Sequence, residues 1–273
     1  MKKLLLTLLI IILGCTQKSE EKNSLSSKEH TLTIDRILSK PSITGISPSS
    51  PSWSFDSQQL AFLWNDSGFS HREIWVINGD GSDLRQVTTE NEGMGGVKMF
   101  AWSPSSKELV YICSDDLWIT SFLGGERKRL TNTGGNKSDL KVSPDGQYAS
   151  FLKDGDLWIF NLKSGKMANQ TKVGIPPISN VPLGRYNRPD VEIGPYVWGG
   201  PTYAWSPDSR TIVVHYVDRR NMRKVPFPYY LGKETVANNV RRGYPGDPNE
   251  YRTIGFFNVD TGYLKLLELP DPT

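Results

Sequence analysis

Few residues in this chain are arranged for chemistry. The closest to a pattern are two carboxylates, Asp190 and Glu192, in "YNRPDVEIGPYVWGG". They alternate by two, so in an extended segment both side chains share one side. Paired carboxylates can hold a cation through charge-assisted hydrogen bonds. The competing reading is ordinary loop charge paired with Arg185 or Arg188, which contributes little when solvated. The histidines are His30, His71 and His215. A Ser-His-Asp triad needs a base held by a carboxylate beside an exposed serine, and none of the three stands in such a setting. No Gly-x-Ser-x-Gly nucleophile elbow occurs. No catalytic residue is therefore assigned. "NGDGSD" from Asn78 lacks the spacing and closing Glu of a calcium loop and reads as a hairpin turn. "GMGG" from Gly93 runs into Val97-Lys98-Met99, which is no phosphate cradle. Neither a metal nor a cofactor is expected.

Composition sets wider bounds. The net charge of +3 is small against 32 basic and 29 acidic side chains. It gives no reason to expect a nucleic-acid partner. Length allows one large domain or two small ones.

The N-terminus reads "MKKLLLTLLIIILGCTQ". Lys2 and Lys3 form a basic n-region, and the apolar run from Leu4 to Leu13 is too short to span a bilayer, which takes about 20 residues. It suits a signal-peptide h-region. The "LGC" junction resembles a bacterial lipobox. That resemblance implies a signal peptide over 1–14, cleavage before Cys15, and lipid on Cys15. The alternative is an ordinary signal peptide with an incidental cysteine. Residues 15–30 are polar and serine-rich, which predicts a flexible tether from the membrane. The expected location is the bacterial cell envelope, outside the cytoplasm. With Cys15 lipidated, Cys113 has no partner, and in apolar "LVYICSDD" it reads as a buried inert thiol.

The elements that must position any site are written as repeats. "SWSFDSQQLAFLW", "AWSPSSKELVYIC", "KVSPDGQYASFL" and "AWSPDSRTIVVHY" share one phrase, anchored at Trp53, Trp102, Val142 and Trp205. Pro followed by Asp and Gly or Ser suits a tight turn. A short apolar strand follows each turn, then a second: "EIWVIN", "DLWITS", "DLWIFN" and, in the fourth copy, "IGFFNV". The first three copies close on "LRQVT", "KRLT" and "MANQT". Four short strands per unit with periodic aromatics predict an all-β fold, a β-propeller of four-stranded blades. Trp75, Trp118 and Trp158 recur at equivalent places and are expected to fill space between blades.

Copy spacing departs from regularity in one region. Trp102 to Val142 is 40 residues, but Val142 to Trp205 is 63. Against a blade of about 40–45 residues, roughly twenty are inserted before the fourth copy, and about 34 more lie inside it. Long ordered excursions from a rigid scaffold usually carry function or a docking surface.

The order of the insertion, "AWSPDS", "VPFPYYL", "RRGYPGDPNEYR" and "FFNVDTG" resembles the N-terminal propeller of the dipeptidyl peptidase IV type, in the prolyl oligopeptidase superfamily. The resemblance spans roughly residues 31 to 270 and is sharpest from Gly184 to Gly262. It implies that 31–273 is a partial propeller, about four blades of a seven- or eight-bladed ring. It also implies a serine exopeptidase whose hydrolase domain this chain lacks, so the chain alone is expected to be inactive. The family captures the substrate's α-ammonium on paired glutamates. That pair is absent here, and Asp190 and Glu192 are the nearest carboxylates. The implied partners are a peptide substrate or the missing hydrolase domain, with the membrane reached through Cys15. An alternative is a stand-alone TolB-like propeller lipoprotein that binds peptides or envelope proteins. Uncovered faces on the first and last blades point to an oligomer.

Overall fold

The computed structural model describes residues 32–89, 95–179, 188–195 and 201–268. The signal peptide, Cys15, the tether and Arg185 lie outside the described residues. Residues 32–39 belong to a separate small unit. It holds a single helical turn, α1 (Ile34–Leu38), whose N-cap Thr33 accepts a hydrogen bond from the Arg36 amide.

The rest is built from antiparallel sheets. Blade 1 comprises β1 (Ser49–Trp53), β2 (Gln59–Trp64), β3 (Glu73–Asn78) and β4 (Arg85–Gln86). Blade 2 comprises β5 (Val97–Trp102), β6 (Glu108–Cys113), β7 (Asp116–Ser121) and β8 (Arg127–Arg129). Blade 3 comprises β9 (Ser138–Val142), β10 (Tyr148–Lys153), β11 (Asp156–Asn161) and β12 (Met167–Asn169). In blade 4, β13 (Val191–Ile193) and β14 (Tyr203–Trp205) both pair with β15 (Thr211–Asp218). A separate hairpin, β16 (Lys224–Tyr229) and β17 (Val236–Arg241), intervenes before β18 (Tyr251–Asn258) and β19 (Tyr263–Leu266) complete the blade. The chain is all-β, and its sheets are propeller blades, as the repeats predict.

The blades stack through alternate residues of their strands. Ala61, Leu63, Ile74 and Val76 of blade 1 meet Leu109, Tyr111 and Cys113 of blade 2. Val110, Ile112 and Leu117 on the other face of blade 2 meet Leu140, Ala149 and Phe151 of blade 3. Leu152, Leu157 and Ile159 then meet Tyr203, Ile212, Val214 and Phe257 of blade 4. Each of these side chains is buried, contributing about 1.5–3 kcal/mol apiece for the larger ones. Trp118 packs into the first interface and Trp158 into the second. Their indoles donate to the carbonyls of Cys113 and Lys153. Cys113 is itself fully buried.

Two local devices explain the repeated phrases. The first is the turn after each anchor. Ser54, Ser143 and Ser206 each donate to the aspartate two residues on, at 2.6 Å. The same hydroxyls accept the amides of Gln59, Tyr148 and Thr211. The loop is thus closed by side chains before the next strand begins. These turns also touch across blades. The Asp56 amide donates to Ser106 of blade 2, and the Asp145 amide to Ser209 of blade 4.

The second device joins the third and fourth strands. Thr88, Thr131 and Thr171 donate to Glu73, Asp116 and Asp156. Each threonine hydroxyl also accepts a third-strand amide, from Ile74, Leu117 or Leu157. The closing threonine of "QVT", "RLT" and "NQT" is therefore a clasp on the acid that opens the preceding strand. In blade 4, Thr253 replaces the acid and donates to the Leu267 carbonyl.

The clasp of blade 2 is the most highly charged. Burial pushes the Asp116 carboxyl up, but Arg129, the Thr133 amide, Thr131 and the Lys137 charge outweigh it and hold its pKa at about 2. Asp116 is therefore charged at a pH where the unfolded chain is protonated. Its contribution is complete above the usual carboxylate value of 3.8 and is lost as pH falls towards 2. Asp116→Asn should lower stability by about 2 kcal/mol at pH 7. Urea melts along a pH series should show that gap closing between pH 4 and 2. A gap independent of pH would show that the charge is irrelevant.

Candidate functional site

The inner strand of blade 4 is split. β13 pairs with the far end of β15 (Ile193 opposite Tyr216), and β14 pairs with its near end (Tyr203 opposite Val214). The Gly194 amide reaches the His215 carbonyl, and the Thr202 carbonyl accepts the His215 amide, so both halves meet β15 at His215. The first insertion thus forms a break in a propeller strand. The sheet tolerates it because β13 gains a second support. Its Ile193 amide donates to Gly155 in the β10–β11 turn of blade 3 at 2.7 Å. Gly155 stands at φ +82, which a side chain would strain, and a Cβ there would press on the Val191 carbonyl at 3.2 Å and on Glu192 at 3.3 Å.

Asp190 stands just before β13, and Glu192 lies within it. Both are buried, at 5% and 8% exposure, so neither is a solvated loop charge. They do not converge on one cation. Asp190 is gripped in bidentate fashion by Arg241 of β17, at 2.7 Å to each oxygen. Oε1 of Glu192 receives both Arg188 and Arg219 at 2.9 Å. Arg219 also reaches Glu250 at 2.9 Å and the Pro189 carbonyl at 2.7 Å. Arg252 completes the chain on Glu250, and Arg220 pairs with Asp218. Arg188 is thus the partner expected from sequence. Arg219, Arg241, Glu250 and Arg252 were not singled out. Their only signal was the arginine density of "VDRRNMRK" and "RRGYPGDPNEYR".

This network roots the second insertion. Arg241 sits at the end of the β16–β17 hairpin, and its Nη1 donates to the carbonyls of Arg220 and Met222. One guanidinium therefore closes the base of the hairpin and binds the split strand. Its fork matches a carboxylate in a way an ammonium cannot. The hydrogen bond to Asp190 raises the Arg241 pKa. The Arg220 hydrogen bond lowers that of Asp218. At Glu250, burial pushes up but Arg252 and Arg219 prevail, leaving it lowered. Asp218 and Glu250 stay charged through neutral pH, and their ion pairs weaken only in acid. The Nη2 of Arg219 is buried without a partner among the described residues.

The site therefore sits on a propeller blade modified by two insertions. No family model matches the chain. A 104-residue stretch is 31% identical to "Uncharacterized protein YidR" of Escherichia coli (strain K12), covering 37% of this chain and 24% of that protein. Over 234 residues, the chain is 21% identical to "Venom dipeptidyl peptidase 4" of Apis mellifera, covering 81% of this chain and 24% of that protein. The chain thus spans about a quarter of the length of either relative. In fold it is similar to the crystal structure of Porphyromonas gingivalis dipeptidyl peptidase 4, with a TM-score of 0.61 and 15% identity, over 82% of this chain and 33% of that one.

Removing Arg241 leaves Asp190 buried and unpaired, which costs about 3–5 kcal/mol. Arg241→Met should cost that much, and far less when Asp190→Asn is already present. A double-mutant cycle by urea melts should return a coupling of at least about 1.5 kcal/mol. Proteolysis between residues 219 and 250 should accelerate in Arg241→Met. Additive costs would show that the pair does not root the hairpin.

Proposed function

We propose that this chain is the propeller portion of a serine exopeptidase of the dipeptidyl peptidase IV type, and that the split strand of blade 4 receives the free N-terminus of a peptide. The observation that carries this reading is the asymmetry of partners on Glu192. Arg219 is buried on one side of it with 5% side-chain exposure, while Arg188 is 33% exposed. A peptide α-ammonium can take the place of Arg188 at Oε1 while Arg219 continues to hold the carboxylate in position. Asp190 keeps Arg241 and shapes the wall. Hydrolysis belongs to a hydrolase domain acting with the propeller, since no nucleophile elbow occurs in this sequence. The reading includes lipid at Cys15 and residence in the bacterial cell envelope.

Calorimetric titration with Ala-Pro and Gly-Pro peptides tests this. Peptides with a free amine should bind, and their N-acetylated forms should not. Glu192→Gln should weaken binding at least about 10-fold, the loss of one charge-assisted contact. A Gly-Pro chromogenic amide should remain uncleaved by this chain alone. Equal binding of the acetylated peptide would defeat the reading.

A further inference from the structure

We propose that the cleft between blades 1 and 2 binds a carboxylate, with Arg72 holding the anion and Ser49, Ser50 and Ser70 supplying hydroxyl donors.

The cleft lies at the end of the sheets where β2 turns into β3 and where β5 begins. Its volume is about 340 Å³, within the range of small-ligand sites. Arg72 and Lys98 line it, together with the three serines and Gly95. Both walls are blades that this chain supplies, so the cleft does not depend on what precedes or follows them.

One positive charge in it is unmatched. Lys98 pairs with Asp115. Arg72 is half-buried, and its guanidinium meets no acceptor among the described residues; the Nε is fully buried without one. Buried polar groups are nearly always satisfied, and an exception points to a ligand. Other enclosed arginines have their partners, Arg219 on Glu192 and Arg241 on Asp190. The hydroxyls of Ser49, Ser50 and Ser70 also make no hydrogen bond among the described residues.

The next two junctions show that the opening is particular to this one. Arg72, Asp115 and Gly155 each stand one residue before the clasp acid of their blade. Beside Asp115, the Lys137 side chain is fully enclosed and donates to the Asp115 and Gly134 carbonyls. Beside Gly155, β13 fills the space with the Val191 carbonyl and Glu192. Val97 stands before Trp102 as Lys137 stands before Val142, and it brings no charge. In the first junction the cation comes instead from Arg72, and nothing in the chain answers it.

The backbone fixes Arg72 at the cleft. Its carbonyl accepts the Val97 amide at 2.7 Å. Gly96, at φ +72, lies so close that a Cβ would stand 2.6 Å from that carbonyl. Both inner strands bulge here, β1 between Ser49 and Ser52 and β5 between Val97 and Met99. A bulge re-aims side chains out of the ladder, and Ser50 and Lys98 fall within these two.

Charge and shape give the ligand class. With Lys98 neutralised by Asp115, the cleft carries one net positive charge, which matches a monoanion rather than a phosphate dianion. A guanidinium fork meets a planar carboxylate through two parallel hydrogen bonds, and serine hydroxyls can donate to the remaining lone pairs. A free organic acid and an acidic peptide side chain present the same group.

NMR titration of the ¹⁵N-labelled chain with acetate and with N-acetyl-aspartate amide, at constant ionic strength set by chloride, provides the test. Neither probe carries an amine, so capture of a peptide N-terminus at Glu192 plays no part. Both should shift the Arg72 Nε–H resonance and the Ser70 and Gly95 amides, with a Kd for acetate of about 1–10 mM, as fits so small a ligand. Tighter binding of N-acetyl-aspartate amide would identify a peptide side chain as the source, and equal binding a free acid; either supports the site. Read at the Ser70 and Gly95 amides, Arg72→Gln should weaken acetate binding at least about 10-fold. Ser70→Ala, at an exposed position, should weaken it about 3-fold, read at Gly95 and the Arg72 Nε–H. Resonances that move equally with acetate and chloride would overturn the proposal. So would wild-type affinity in Arg72→Gln, or phosphate at about pH 8, where it is mostly a dianion, binding more tightly than acetate.

Discussion

A four-stranded sheet has two faces, and one neighbour can cover only one of them. Everything else in this protein follows from that limit. Each blade alternates its side chains so that residues such as Val110 and Tyr111 face opposite neighbours, and both are fully buried. Stability is therefore held between blades rather than within them. The side-chain hydrogen bonds serve the same end. The Ser-Asp turns and the acid–threonine clasps fix the ends of each sheet, so that successive blades present the same register to one another.

That repeated register is what makes the departure in blade 4 legible. A split inner strand would ordinarily leave a ladder half-made. Here β15 remains continuous and pairs with both halves, while Gly155 of blade 3 supplies a second hydrogen-bonding surface. The residues leading into β13 are tied down electrostatically. Arg241 and Arg219 do this by reaching from the second insertion into the first, each with its bonds directed at buried carboxylates and backbone carbonyls. The two insertions are one device, separated in sequence and joined through Asp190, Glu192 and Glu250.

Much of the architecture was legible in the sequence because it depends on local chemistry repeated in place. The serine-aspartate turns, the aromatic third strands and the terminal threonines recur at fixed offsets, and each carries a short-range hydrogen bond. Fold class and blade boundaries follow from them, and the buried Cys113 follows from the apolar strand it ends. The site was less legible for the opposite reason. Asp190 and Arg241 are 51 positions apart, and nothing local marks them as partners. The alternation of Asp190 and Glu192 placed both side chains on one side of an extended segment, but Asp190 stands just before β13 and the two go to different arginines. The split strand was hidden altogether, because "VEI" carries no turn signal to distinguish it from loop.

The central claim is that each blade is stable only through its covered faces. Hydrogen–deuterium exchange, read strand by strand, tests it most directly. Amides of β6, β7, β10 and β11, in blades covered on both sides, should be the slowest and should open together at the global unfolding free energy. Those of β18 and β19, in a blade that the described residues cover on one side, should exchange well before them in this chain. Blade 4 amides that exchange as slowly as those of blade 3 would contradict the claim.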